Sequence, residues 1–385
     1  MYDFKISDGL VFDALKGTFN KTNVYIADDK IALVADETYK AKNVIDAKGK
    51  FVCPGLVDEH LHLDYNGSII GANGDLICIP NGVTTACDGG SCGASNFPLF
   101  YSSNIIRYEA KTYAYLNVST FGNKSLCLHE EDHDPSDFRF DLIQKCFKKF
   151  NPIIRGLKVR MCKATLGNNL GISPLIKAIE FSEKLKLEGY HCPVVVHYDN
   201  LPENVRVSDL FSVLRKGDVV AHIFQDKGET IFDDYGKVKP AVLDAQKRGV
   251  IMDDCHGRVH WTIPNLQKAF NQGFFPDVIS SDAVRISEYI RPGFSLIYAI
   301  NIAVACGMPI EKVLKAVTKN PADVLGINDA GVILKGKTAD IVILDNRPYD
   351  GELFDNYGNG IKVNNILAPL LTIKDGRVAF RQIYF

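Results

Sequence analysis

The sequence predicts an α/β chain: a (β/α)8 barrel of the TIM type with a small composite β-sandwich built from both termini. Three observations predict it. Short β-rich stretches occupy both ends of the 385 residues. Eight apolar, often β-branched runs alternate with helical spacing between them. No GxGxxG turn follows an early strand, as an open doubly wound sheet would want. The expected division is residues 1–50 plus 326–385 for the sandwich and 51–325 for the barrel.

The elements follow in order. Gly9–Phe12, Thr22–Ala27, Lys30–Val34 and Asn43–Asp46 read as strands punctuated by Gly, Asn and Asp. The barrel strands are expected at Phe51–Val57, Val83–Cys87, Tyr113–Ser119, Ile153–Val159, Pro193–His197, Asp218–His222, Val250–Asp254 and Asp277–Ser281. Helices are expected at Ile172–Leu187 and Pro240–Arg248, where apolar residues recur at helical spacing. Thr338–Leu344, Pro369–Ile373 and Arg377–Phe380 return to short strands.

Composition narrows the function classes. Lys plus Arg is 44 against 46 Asp plus Glu, a formal charge of −2, so no basic excess points to nucleic acid or an anionic membrane. The longest apolar stretch, Leu296 to Met308, falls short of the ~20 residues of a bilayer span. MYDFKISDGL lacks the pattern of a secretory signal. Ten cysteines without a CxxC pair read as buried or free thiols. The expectation is a cytoplasmic enzyme with a small-molecule substrate, with homo-oligomerisation left open.

Chemistry in such a barrel gathers at the C-terminal strand ends, because the loops there line the open mouth. Five of nine histidines fall on those ends: His60, His62, His197, His222 and His256. His60 and His62 share one face of a strand at period 2, so both imidazoles can approach one cation. With His197, His222 and Asp282 they make three or four imidazoles and a carboxylate, a set suited to Zn or another borderline divalent ion. Each histidine taken singly reads as an ordinary hydrogen-bonded residue.

Lys158 lies between Leu157 and Val159 on a strand that should be buried. Desolvation would depress its pKa, and a neutral amine can take up CO2 to form a carbamate able to bridge two metals. The competitor, Lys163, lies beyond the strand and is expected to be exposed. His129-Glu130-Glu131-Asp132-His133 matches HExxH literally, but the stretch is almost wholly polar and is followed by Pro135. It reads as a solvated acidic loop rather than a zinc-protease helix.

Pro54-Gly55-Leu56-Val57-Asp58-Glu59-His60-Leu61-His62 resembles the PG[LIF][IV]DxHxH signature of the amidohydrolase superfamily. The chain is similar to its dihydroorotase-like branch, often labelled amidohydrolase/deacetylase. That likeness rests on Asp88–Ala94, Gly156–Arg160, Gly273–Asp282, Ala316–Ala322 and Lys335–Val342. The resemblance implies two metals, one held by His60, His62 and Asp282 and the other by His197 and His222, with carboxylated Lys158 bridging. Two places depart from relatives: Asp254–Trp261, bulkier and more basic than the usual GHG turn, and Tyr198–Pro202 after His197.

The function expected is hydrolysis of an amide or ester, deacetylase-like on an N-acyl or O-acyl small molecule or on a cyclic amide. A metal-bridging hydroxide, its pKa lowered from near 16 toward ~7, would be the nucleophile. Asp282 would act as general base and then acid. His256 would hydrogen-bond a substrate carboxylate or developing oxyanion, or simply hold a turn. Arg160, Arg258, Arg285 and Arg291 are candidates for gripping an acidic substrate, and Tyr198 for shaping the pocket. The alternatives are an adenine-type deaminase, against which Lys158 counts, and a non-catalytic barrel scaffold, against which the complete ligand set counts.

Overall fold

The computed structural model describes residues 1–123, 131–288, 290 and 295–385. Its centre is a curled sheet of seven parallel strands: β1 (Leu56–Leu61), β2 (Val83–Asp88), β3 (Lys111–Asn117), β4 (Ile154–Met161), β5 (Val194–Tyr198), β6 (Val219–Ala221) and β7 (Ile251–Asp253). Each strand pairs with the next in parallel register. The eighth run forms no regular strand, yet it closes the ring. Its Val278 pairs with Asp253, and Asp254 N and His256 N donate to Val278 O and Ser280 O. On its other side Asp282 N donates to His60 O and His62 N to Ala283 O. The result is a (β/α)8 barrel.

The strand expected over Phe51–Val57 divides. Phe51–Pro54 belongs to a terminal sheet, antiparallel to Ile341–Phe354 and parallel to Leu10–Asp13, and β1 starts afresh at Leu56. Pro54 has no N–H to carry the ladder onward, and Gly55 N turns to Asp340 O. Any Cβ on Gly55 would lie 2.2 Å from the Thr84 hydroxyl. This junction joins the barrel to a β-sandwich. Its four-stranded sheet comprises Tyr2–Ser7, Asn23–Ala27, Lys30–Ala35 and Ala41–Asp46. Its six-stranded sheet adds Thr18–Lys21, Gly360–Lys374 and Arg377–Arg381 to the three strands just named. Ile6, Val24, Ile26, Val52, Ile341, Ile343 and Leu371 fill the space between the sheets.

The helices Ser173–Leu187 and Pro240–Arg248 lie where apolar spacing predicts them. Pro240 opens the second and Gly249, left-handed at φ 91°, ends it. No helix among the described residues is long and apolar enough to cross a membrane. Nine cysteines are described, all of them buried.

Two features position the site. Below the mouth, Val57, Tyr113, Tyr115, Val195, Val219 and Val278 plug the barrel floor against Ala322, Val324 and Leu325. Beside the mouth, Ile341–Phe354 and Gly360–Lys374 form a hairpin longer than its short apolar cores suggest. Its turn reaches the loop after β7: Asp355 accepts from Ile263 N, and the Tyr357 hydroxyl donates to Val259 O.

Candidate metal centre

Strand alternation brings His60, His62, Lys158, Arg160 and His197 to the inside of the barrel mouth. With Asp282, Glu131 and His260 they line a cavity of about 190 Å³. His222 lies behind this lining, its Nε2 2.9 Å from His197 Nδ1. Asp282 sits centrally: its Oδ1 is 3.2 Å from His62 Nε2 and 3.7 Å from His60 Nε2, and its Oδ2 is 3.9 Å from His222 Nε2. Lys158 Nζ is 3.1 Å from His60 Nε2. A larger cavity of about 300 Å³ lies among Phe275, Pro276, Met308 and Lys312, with no histidine or cysteine in its lining.

The glycines of Asp88-Gly89-Gly90 make room for this packing. A Cβ on Gly89 would lie 2.1 Å from the His60 ring, and one on Gly90 2.5 Å from Lys158 Cβ. Asp88 holds the turn, accepting from Gly90 N, Ser91 N and the Ser91 hydroxyl. Since that hydroxyl donates to Asp88, it accepts from His62 Nδ1 at 2.8 Å. This fixes the tautomer that leaves the His62 Nε2 lone pair facing Asp282.

Backbone strain concentrates here. His222, Cys255 and Asp282, each just past a barrel strand or the closing run, take φ values of 67°, 41° and 43°. Non-glycine residues in this region cost about 1–3 kcal/mol each and persist where surroundings over-determine them.

The electrostatics follow from burial. Burial alone would raise the Asp282 carboxyl, but its close approach to His62, His222 and His60 holds it below the carboxylate range. Burial lowers Lys158, favouring the neutral amine. Burial pushes His60, His197 and His222 well below the usual imidazole range.

These residues fit a cation. His222 Nδ1 donates to Cys255 O at 2.7 Å, so its Nε2 can only offer a lone pair. His197 Nε2 is buried without a partner. If His197 Nδ1 is protonated, its Nε2 is an orphaned acceptor. If instead Nε2 is protonated, two lone pairs face each other at 2.9 Å. A cation held by the two facing lone pairs would relieve their repulsion. Ligand atoms of His60, His62 and Asp282 lie within 4.8 Å of one another, as do those of His197, His222 and His260.

Several expected residues lie elsewhere. Tyr198 follows inward-facing His197, so alternation sends it outward. It is fully buried against Phe211, its hydroxyl donating to Glu229 O. His256 is stacked on Trp261 at 4.0 Å and paired with Asp254 at 2.9 Å, outside the cavity lining. With Cys255 left-handed, it is the thiol that faces His60 and the next side chain falls behind. Arg258 donates to Asn356 on the hairpin turn. Arg285 donates to Gly71 O and Tyr65 O and lies over the Tyr65 ring, bracing a loop. Arg291, His129 and Glu130 lie outside the described residues. Lys163 is half exposed and paired with Glu203.

Two corrections add residues to the mouth. Glu131 and His133 are buried rather than solvated: Glu131 accepts from Asn117 and Arg160, and His133 Nε2 accepts from Arg160 N. His260, seven residues past β7, packs on His197 and His222 with ring centroids 4.9 and 4.3 Å away, and its Nδ1 lies 3.4 Å from Asp199.

The chain is similar to several known proteins. The Amidohydrolase family model matches residues 232–379. A deacetylase of Enterococcus faecalis is 27% identical over 382 residues, covering 98% of this chain and 99% of its own. The fold of a solved dihydroorotase superposes with a TM-score of 0.87 at 26% identity, over 98% of this chain and 99% of that one. Together these likenesses support the amidohydrolase superfamily. They likewise support a metal-dependent hydrolase. Two further relatives are similar over most of their length. A deacetylase of Agrobacterium fabrum is 29% identical, over 91% of this chain and 84% of its own. A solved adenine deaminase has a TM-score of 0.90 at 25% identity, over 99% of this chain and 100% of that one.

Proposed function

We propose that this amidohydrolase cleaves the amide or ester bond of a small acylated molecule, or of a cyclic amide, in a deacetylase-like reaction. His60, His62 and Asp282 would hold one divalent cation, zinc first among the candidates, and His197 and His222 a second, with a carbamate on Lys158 joining them. The supporting observation is that five of these six side chains line one cavity and the sixth is in contact with His197. Two bound cations would supply an activated water and polarise the scissile carbonyl.

The protein's own groups do the rest. Asp282, its carboxyl lowered below the ordinary range, would take a proton from the attacking water and return it to the leaving nitrogen or oxygen. The lowered basicity of Lys158 favours the free amine that carbamate formation needs. Arg160, paired with Glu131, and His260, beside Asp199, flank the cavity as polar contacts for the substrate.

A deaminase reading is favoured by one observation, the superposition on the adenine deaminase. Screening acetylated amino and hydroxy acids, cyclic ureides and purines with metal-loaded protein separates the two. Acetate release or ring opening supports the hydrolase, and ammonia release from a purine overturns it. About two cations per chain by elemental analysis are expected, and none would support a scaffold.

A further inference from the structure

We infer that Cys255 is a positioning residue that sets the tautomer of one histidine in each half of the metal centre. The inference rests on the two-cation reading above. Cys255 Sγ lies 3.2 Å from His60 Nδ1, and its backbone carbonyl accepts from His222 Nδ1 at 2.7 Å. His60 Nε2 faces Asp282 and Lys158, whereas His222 Nε2 faces His197. A proton kept on each Nδ1 leaves both Nε2 lone pairs for cations.

One residue reaches both rings because its backbone is left-handed, at φ 41°. Glycine is the residue that ordinarily takes this conformation, but glycine would leave His60 Nδ1 without its sulfur partner. The strain is held from below. Asp253 Oδ1 accepts from Cys255 N at 3.0 Å, and Asp253 Oδ2 accepts from the Ser280 hydroxyl at 2.7 Å. Cys255 and Asp253 are both fully buried, so neither arrangement has water to replace it.

The two contacts separate by substitution, since side-chain changes keep the carbonyl. Cys255→Ala removes only the His60 contact, and Cys255→Ser supplies a hydroxyl in its place. The test is chelator competition on the full-length protein loaded with Zn2+, read as affinity for each of two cations, alongside the visible spectrum of the Co2+-loaded form. Cys255→Ala is expected to weaken one cation about 10–100-fold while sparing the other. Cys255→Ser is expected to recover most of that loss, with the metal-free melting temperature unchanged in both variants. An alanine variant that matches wild type overturns the role, as does equal loss of both cations with a lowered metal-free melting temperature. A serine variant as weak as alanine overturns the hydrogen bond. Wild-type protein that takes up no cation overturns the metal centre itself and this role with it.

Discussion

The mouth and the floor of the barrel are built from the same strands and differ in almost every respect. At the floor, Val57, Val195, Val219 and Val278 pack on Leu325 with ordinary extended backbone. A few residues further along the same strands, His60, His197, His222 and Asp282 face one another, two of them with left-handed backbone. Between the two, Glu59 is buried against the Tyr115 hydroxyl at 3.0 Å. Stability and chemistry therefore divide along the strand axis. The floor gains by apolar burial, and the mouth tolerates desolvated polar groups and strain that the floor holds in register.

The contrast breaks most sharply at Lys158. Lys158→Ala is expected to lose bound metal and activity together, with partial recovery on adding formate or acetate. Unchanged metal content by elemental analysis refutes the bridging role. Asp282→Asn should keep much of the metal yet lower turnover by about 10²–10⁴-fold, and retained turnover removes its proton-transfer role. Gly89→Ala pushes a methyl group into the His60 ring, so cation affinity should fall about 10–100-fold. A titration matching wild type would show that the ring can yield there.

The floor should answer in the opposite currency. Leu325→Ala is expected to cost about 2–5 kcal/mol of folding stability in denaturant titrations while metal content stays intact. A metal defect without a stability loss would contradict the division. The smallest effect belongs to His191, whose Nε2 is 2.8 Å from Val324 O beside the floor. Burial lowers its pKa below 6.5 in the folded chain. The unfolded chain therefore binds the extra proton more readily, and this contribution to stability is complete above pH 6.5 and fades as pH falls below it. His191→Gln should flatten that part of the stability–pH curve, and an unaltered slope would exclude His191 as its source.

Sequence legibility follows the same axis. The barrel runs and the helices Ser173–Leu187 and Pro240–Arg248 are readable because apolar periodicity directly encodes their burial. His60, His62, His197, His222 and Asp282 are readable as strand-end residues, and the structure brings them together. Three parts of the mouth are not readable. Cys255 displaces His256 because a left-handed cysteine has no sequence signature. Glu131 and His133 look solvated, yet their burial depends on Arg160 and Asn117, distant in sequence. His260 owes its place to Asp199 and a loop tied to the far hairpin rather than to any strand.

That hairpin carries a consequence of its own. Its turn grips residues 259 and 263, on either side of Trp261 and next to His260 in the wall of the cavity. Lengthening or shortening the turn by a residue would tilt that wall while leaving every strand and every cation-facing side chain as it is. Selectivity can therefore be re-engineered from the periphery, by grafting hairpin turns, without risking the chemistry at the centre.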